Sequence, residues 1–203
     1  MSEIIRPGTR ILITPGTATS ANFSLSKSEI LNVVTRAAEI GIEIVQIREK
    51  SLSARLLLEL AAEAVELVSD SLTRIFVNER FDIAITAKAH GVQLTSSSVP
   101  VDRVRQLLPV EMIVGVSAHS ADEVTEANAN GADFAMLGPV FATPGKGDAM
   151  GLQNLAEICS AASPFPIVGV GGIDGTNESQ ILQSGAAGFA AIRYLNDFVK
   201  IEQ

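Results

Sequence analysis

Short apolar runs alternate with amphipathic helical stretches along the whole chain, and this alternation constrains the fold more than any other feature. The runs that predict strands are 10–14, 42–47, 74–77, 91–94, 112–116, 133–137, 166–170 and 188–192. The stretches with helical spacing are 24–40, 54–68, 81–89, 101–107, 121–130, 152–162 and 178–184, followed by a short terminal helix. Eight strand–helix units without a linker predict an α/β protein, a single (β/α)8 TIM barrel over residues 1–203. An open doubly wound sheet is the alternative, because periodicity cannot show closure.

Composition narrows the functions that such a chain can have. The core must consist mainly of Ala, Val, Ile and Leu, because 47% of the residues are hydrophobic and only 4% are aromatic. A net charge of -8 argues against nucleic-acid and anionic-membrane partners. Cys159 is the sole cysteine, which excludes an intramolecular disulfide and predicts a reduced compartment and an inert, buried thiol. No run is long enough to span a bilayer and the opening MSEIIRPGTR lacks an apolar signal core, so we expect a cytoplasmic protein.

A loop rich in Gly, Pro and Thr follows the apolar strand 133–137 and is typical of an active-site loop. Within residues 138–147 it offers flexible backbone amides, the Thr143 hydroxyl, Gly145 and the Lys146 ammonium. Such groups suit an anionic ligand, in particular a phosphorylated one. A solvated surface loop with a single lysine is the alternative interpretation.

The second predicted strand ends in polar residues that alternate with their neighbours. Gln46, Arg48 and Lys50 share one face, because side chains along a strand alternate between its faces. At the mouth of a barrel they would bring an amide and two cations to an anionic ligand, with Arg48 able to bind a phosphate in bidentate fashion. The alternative is a structural ion pair between Arg48 and Glu49 or Glu79.

The third and fourth predicted strands end in residues that could bind a metal ion. A hard divalent ion that holds a diphosphate would require two convergent carboxylates at this point. Glu79, which follows Asn78, is the only carboxylate that the sequence places at these two strand ends. The fourth strand is followed by Thr95 and by serines at 96–98. These serines could bind an anion or cap the next helix, which is their commoner role.

The fifth predicted strand leads into Ser117 and His119 at a junction between strand and helix. An imidazole here can reach a ligand and act as an acid or a base near neutral pH. Ser120 and Glu123 have the spacing of a capping box, so a capping or packing role for His119 is the alternative. His90 precedes the fourth strand, and we expect it at the opposite, structural end of the barrel.

Glycines and small residues follow the last two predicted strands. Gly171 and Gly172 end strand seven, and Ala191 and Ile192 end strand eight before the terminal helix. TIM barrels often bind a phosphate through backbone amides at this position. Close packing of the turn is the other interpretation of the glycine pair.

Five ordered motifs together resemble the thiamine phosphate synthase and TenI family over nearly the whole chain. They are QIREK at 46–50, VNERFDIA at 77–84, GVSAHS at 115–120, GADFAMLGPVFATPGKGD at 131–148 and VGVGGI at 168–173. The synthases of this family use Mg²⁺ to join a pyrimidine diphosphate to a thiazole phosphate with loss of pyrophosphate. The resemblance implies diphosphate contacts from Gln46, Arg48, Lys50 and Asn78, and pyrophosphate contacts from Ser117 and Lys146. It implies a thiazole-phosphate site at Thr143, Gly145, Gly171, Gly172, Ala191 and Ile192.

Departures from the family pattern affect the metal site. Glu79 occupies the position of the first metal-binding Asp, the second falls at or near Ser98, and Pro15 replaces a further Asp. Loss of one anionic ligand should weaken a two-carboxylate Mg²⁺ site. The sequence therefore favours the TenI branch, an isomerase without a cofactor that aromatises a thiazole carboxylate phosphate by proton transfer, with His119 as the proton carrier.

Two alternatives remain at this stage, and both keep a small phosphorylated thiazole as the ligand. The first is a thiamine phosphate synthase, a transferase that needs Mg²⁺, with Glu79 as the candidate ligand. The second is a non-catalytic accessory protein that binds the thiazole phosphate without turnover. The sequence leaves open whether the chain forms a homo-oligomer.

Overall fold

The computed structural model describes residues 5–201, and its strands form one closed barrel. All eight strands are parallel and lie in sequence order, and the eighth pairs with the first. The predicted (β/α)8 TIM barrel is therefore confirmed, and the open sheet is excluded. The sequence argument about a signal core rests in part on residues 1–4, which lie outside the described residues.

The helices and strands alternate as expected. The strands are β1 Thr9–Ile13, β2 Ile44–Ile47, β3 Arg74–Asn78, β4 Gly91–Leu94, β5 Ile113–Ala118, β6 Phe134–Leu137, β7 Ile167–Val170 and β8 Gly188–Ala191. The helices are α1 Phe23–Glu39, α2 Ala54–Leu67, α3 Phe81–Thr86, α4 Val101–Arg105, α5 Ala121–Ala129, α6 Gly151–Ala162, α7 Glu178–Gln183 and α8 Arg193–Ile201.

Backbone hydrogen bonds at the helix ends explain where these bounds depart from the sequence prediction. The second strand starts at Ile44 and not at Ile42, because the Ile42 amide donates to the Ala37 carbonyl oxygen and closes α1. Helix α3 ends at Thr86, short of the predicted residue 89, since Lys88 adopts a left-handed conformation with φ of 55°.

Side chains inside the barrel are packed around two phenylalanines. The rings of Phe76 on β3 and Phe134 on β6 lie 6.2 Å apart between centroids. A Cβ on Gly91 would stand 2.5 Å from the Phe76 ring, and one on Gly115 would stand 2.4 Å from the Phe134 ring. These glycines therefore make room for the rings, so that a chain with few aromatic residues still fills its barrel.

The helices cover the barrel with apolar faces of helical period. Ser53 caps the start of helix α2, because its hydroxyl accepts a hydrogen bond from the Leu56 amide at 3.4 Å. Its buried residues recur every three to four positions and are Leu56, Leu57, Leu60, Ala61 and Ala64. Cys159 is buried in α6, and burial raises the pKa of its thiol to about 11, as expected of an inert cysteine. Within residues 5–201, no helix combines the length and apolarity needed to cross a membrane.

His90 lies at the N-terminal end of β4, on the side of the barrel opposite the strand ends considered below. Its Nδ1 accepts a hydrogen bond from the Ile75 amide at 3.1 Å, and its own amide donates to the Ile75 carbonyl oxygen. Burial, with a smaller contribution from the charge of Arg74, holds the imidazole pKa below its usual 6.5. The fold therefore requires the neutral imidazole.

This requirement predicts a loss of stability in acid. Below pH 6.5 the unfolded chain binds a proton before the folded chain does, so the free energy of unfolding falls as pH drops toward the lower pKa of the folded state. Urea unfolding at about pH 7.5 and about pH 5.5, on either side of the reference value, measures the difference. His90→Gln keeps an acceptor but cannot titrate, and we expect it to show a smaller difference. An equal difference in both proteins would contradict the prediction.

Candidate active site

The mouth of the barrel at the C-terminal strand ends collects most of the polar residues identified from the sequence. Gln46 is buried at the inner face of β2, and its Nε2 donates to Asn78 Oδ1 on β3 at 2.8 Å. Arg48 and Lys50 follow the end of β2, the first half-buried and the second with 54% of its side chain exposed. The amide pair and the cations thus lie together at the mouth, as the alternation along β2 predicts.

Arg48 is positioned by contacts with the loop after β1. Its backbone amide donates to Thr14 Oγ1 at 2.8 Å, and its Nη1 lies 3.0 Å from where a Cβ on Gly16 would stand. No carboxylate of residues 5–201 forms an ion pair with its guanidinium. The structural ion pair considered for Arg48 is therefore not formed, and the guanidinium remains available to an anion.

Glu49 explains why Arg48 has no such partner. It is 2% exposed, and its carboxylate accepts the amides of Gly16 at 3.0 Å and Ala18 at 2.8 Å. Its carboxylate thus holds the loop after β1 with two hydrogen bonds to a charged acceptor. This role was not predicted from the sequence. The available signal was the position of Glu49 between Arg48 and Lys50, which places its side chain on the opposite face of the strand.

Glu79 follows β3 and lies beside Lys50 at the mouth, and its environment keeps its carboxyl group ionised. Its carboxylate accepts hydrogen bonds from Thr95 Oγ1 at 2.6 Å, Asn78 Nδ2 at 3.0 Å and Ser97 Oγ at 3.2 Å, and lies 4.0 Å from Lys50 Nζ. The Thr95 hydrogen bond is the largest cause of the lowered pKa of Glu79. Its backbone is left-handed, with φ of 60°, a conformation that non-glycine residues adopt mainly at special sites.

These residues satisfy only part of what a magnesium ion requires. Ser98 Oγ accepts the Thr95 amide at 2.9 Å and so caps its own turn. Among the described residues, no cluster of three His, Cys, Asp or Glu could hold a metal ion. Mg²⁺ is often bound by one or two carboxylates together with phosphate oxygens of the substrate. Glu79 with its neighbouring hydroxyls therefore fits Mg²⁺ as one side of a site that a phosphorylated ligand completes.

Two buried amides lie beneath the mouth. Gln93 on β4 is 1% exposed, and its Nε2 donates to Ser117 Oγ on β5 at 3.2 Å. The carbonyl oxygens of Gln46 and Gln93 are buried without a hydrogen-bond partner. Such oxygens can accept a donor from a ligand or from water. Gln93 was missed in the sequence, where the only signal was one polar residue in the apolar strand GVQL.

His119 lies at the start of α5 and faces solvent. Its side chain is 54% exposed, and Nδ1 lies 3.2 Å from Glu123 Oε2, which also accepts the His119 amide at 2.7 Å. Ser120 caps the helix by accepting the Glu123 amide at 3.2 Å. These contacts agree with the alternative interpretation of His119 as a residue that helps to cap helix α5.

The loop after β6 is hydrogen-bonded to the end of β7. The amides of Val140 and Phe141 donate to the carbonyl oxygens of Val170 at 2.9 Å and Gly171 at 3.1 Å. Farther along, the Lys146 amide donates to the Thr143 carbonyl oxygen at 3.1 Å in a turn that has Gly145 at φ of 72°. This is a type II turn, which requires a residue with positive φ at that position. It displays the exposed Lys146.

The glycine pair after β7 is needed for packing against this loop. A Cβ on Gly171 would stand 2.7 Å from Pro139, and one on Gly172 would stand 2.7 Å from Phe141. Both glycines have positive φ, of 101° and 65°. The packing interpretation is thus supported, while binding of a phosphate by their amides stays a prediction.

The end of β8 completes the mouth. Ala191 is buried and Ile192 is 37% exposed, directly before α8 begins at Arg193. Asn196 fixes α8 to the barrel, because its Nδ2 donates to the Ile13 carbonyl oxygen at 2.8 Å and the Ile192 carbonyl oxygen at 2.7 Å. The first turn of α8 therefore lies beside the ends of β1 and β8.

The chain is similar to known proteins both in sequence and in structure. The sequence model of the family described as "Thiamine monophosphate synthase" matches residues 12–195. A thiamine-phosphate synthase of Moorella thermoacetica is 41% identical over 165 residues, which are 80% of this chain and 78% of that protein. The enzyme of the same name from Methanoculleus marisnigri is 39% identical over 77% of this chain and 75% of its own length. The solved thiamine phosphate pyrophosphorylase of Pyrococcus furiosus superposes with a TM-score of 0.77 at 25% identity, covering 95% of this chain and 92% of that chain.

Proposed function

Because the chain belongs to the thiamine monophosphate synthase family, we propose that it is a thiamine-phosphate synthase, a transferase that joins a pyrimidine diphosphate to a thiazole phosphate. The prediction of a tautomerase, and with it of an isomerase, is wrong. Relatives at 41% and 39% identity are named thiamine-phosphate synthase, and the family model carries the same activity in its description. The error came from giving one replaced carboxylate, at Ser98, more weight than the complete QIREK motif. His119 consequently loses its role as a proton carrier.

The observation that carries the proposal is the arrangement of three cations at the mouth, two of which have no carboxylate partner among the described residues. Arg48 and Lys146 form no ion pair with any residue in the described part of the chain, and Lys50 lies at the limit of contact with Glu79. In the proposed reaction the bond between the pyrimidine methylene carbon and the diphosphate oxygen breaks, and the thiazole nitrogen forms a new bond to that carbon. The departing pyrophosphate takes the electron pair, and cations placed in advance stabilise the charge that develops on it.

The residues divide between two ligands in this proposal. We assign the diphosphate to Gln46, Arg48, Lys50, Asn78, Ser117 and Lys146. We assign the thiazole phosphate to Thr143, Gly145, Gly171, Gly172, Ala191 and Ile192. Mg²⁺ held by Glu79 and the ligand would supply further neutralisation of the diphosphate charge.

The test is a direct assay of thiamine phosphate formation from the two substrates. We expect product in the presence of Mg²⁺ and a large loss of rate in EDTA. Supply of each substrate alone is the control for contaminating activity. Absence of product, combined with binding of the thiazole phosphate, would instead support the accessory-protein alternative and overturn the proposal.

A further inference from the structure

We infer that Gln93 is a positioning residue, which sets the Ser117 hydroxyl to donate a hydrogen bond to the departing diphosphate. The inference rests on the proposed function, since it concerns the same reaction, and it names a side chain outside the ligand contacts assigned above. Three observations carry it. They are the burial of Gln93 inside the barrel, the direction of its hydrogen bond, and the proton that this direction leaves free on Ser117.

Gln93 is a buried amide on an otherwise apolar strand. It belongs to β4, GVQL, and only 1% of its surface is exposed. Burial of a polar group lowers the stability of a protein unless hydrogen bonds satisfy the group, and Gln93 Oε1 has no hydrogen-bond partner. An apolar side chain of the same size would suit packing alone better. The amide is therefore expected to serve a purpose other than stability.

The surroundings of this amide decide which of its two ends meets Ser117. Nε2 lies 3.2 Å from Ser117 Oγ. Oε1 lies over Gly115, where a Cβ would stand 2.3 Å from this oxygen and 2.4 Å from Phe134 Cζ. The edge of an aromatic ring is electropositive, so an oxygen suits this place better than an NH2 group does. The amide therefore donates a hydrogen bond to Ser117 and does not accept one from it.

Ser117 keeps a hydroxyl proton that no residue within 5–201 accepts. The side chain is half-buried near the C-terminal end of β5, and its oxygen accepts the hydrogen bond from Gln93. Gln93 is paired with Gly115, two residues deeper in the barrel, so the donor approaches Ser117 from below. The hydroxyl then directs its own proton toward the mouth. A donor placed there in advance stabilises the charge that develops on the departing pyrophosphate.

Gln93→Met tests this role, because it keeps the volume of the side chain and removes the donor. We expect kcat for thiamine phosphate formation to fall about tenfold, the rate equivalent of one hydrogen bond. KM for the pyrimidine diphosphate should stay nearly unchanged, since the charge develops only in the transition state. The midpoint of thermal unfolding should not fall, because the variant also removes a buried oxygen without a partner. Gln106→Met makes the same replacement at an exposed glutamine after α4, at the opposite end of the barrel, and should change none of these quantities.

Ser117→Ala shows whether Gln93 acts through Ser117. In that background the hydroxyl is absent, so addition of Gln93→Met should cause no further loss of kcat. The same double-mutant cycle can be measured without turnover from the affinity for inorganic pyrophosphate in excess Mg²⁺, determined by calorimetry. Pyrophosphate carries the oxygen charge that the departing group acquires. We therefore expect Gln93→Met alone to weaken its binding about tenfold, and to have no added effect beside Ser117→Ala.

The outcomes distinguish this inference from the proposed function. If the wild type forms thiamine phosphate but Gln93→Met is fully active, or is equally harmful beside Ser117→Ala, the inference is overturned and the proposed function stands. A loss of activity matched by a loss of thermal stability would mean a structural role and would also overturn it. If the cycle shows coupling in pyrophosphate affinity but no thiamine phosphate forms, the inference stands and the proposed function fails. If the wild type neither forms product nor binds pyrophosphate, both are overturned.

Discussion

Arg48→Met is expected to lower kcat/KM for thiamine phosphate formation by about 100- to 1000-fold, the range seen when a single stabilising donor is removed from a developing anion. The guanidinium is half-buried at the mouth, and no carboxylate in residues 5–201 pairs with it. Its removal therefore leaves no acid unpaired, and the free energy of unfolding should change little. Steady-state kinetics and thermal unfolding on the same preparation measure both effects.

Two further variants make this result specific. Arg48→Lys keeps the charge but cannot bind a phosphate in bidentate fashion, so we expect an intermediate loss of kcat/KM. Arg6→Met removes an exposed arginine that precedes the N-terminal end of β1, on the side of the barrel opposite the mouth, and should leave the kinetics unchanged. Equal activities for the wild type and Arg48→Met would show that the diphosphate does not depend on this side chain.

Gly138→Ala is expected to destabilise the protein by roughly 3 kcal/mol or more, at the upper end of the cost of overpacking. A Cβ on Gly138 would stand 2.0 Å from the Val170 carbonyl oxygen, far inside van der Waals contact. That oxygen belongs to the backbone of β7 and accepts the Val140 amide at 2.9 Å, so it cannot move without loss of the hydrogen bond between the loop after β6 and the end of β7. Urea unfolding, or failure to obtain folded protein, is the measurement.

Gly147→Ala is the matched control within the same loop. A Cβ on Gly147 would have no heavy atom within 4 Å, and its φ lies outside the region that disfavours side chains. We expect a change in stability within about 0.5 kcal/mol, as for an ordinary surface substitution. A similar cost for both alanines would mean that the contact with Val170 does not limit the structure.

The wrong prediction of a tautomerase came from a single position, Ser98, where the family has a metal-binding Asp. The sequence contains the complete set Gln46, Arg48 and Lys50, yet the serine near position 98 suggested that the metal site was lost. The 41% identity to a thiamine-phosphate synthase over 80% of the chain outweighs that position. The structure adds that Glu79 remains bonded at the mouth, where a ligand phosphate can complete a metal site.

The sequence by itself determined the eight alternating strand–helix units and the positions of the strand ends, while closure of the barrel came from the pairing of β8 with β1. The units and the strand ends depend only on neighbouring residues. The period of the apolar residues distinguishes a strand from a helix, and every second side chain along a strand faces the same side. For this reason Gln46 and Asn78 were expected at the mouth before their contact was seen.

Only the tertiary structure decided which groups pair with each other there. Glu49 binds the amides of Gly16 and Ala18, more than thirty residues away, and so frees Arg48, while Lys50 is the cation nearest Glu79. Partners such as these come from different strands and loops, and their separation depends on barrel closure and on side-chain rotamers. Spacing along the chain does not encode either quantity, so the fold and the location of the site were predictable and the bonding within the site was not.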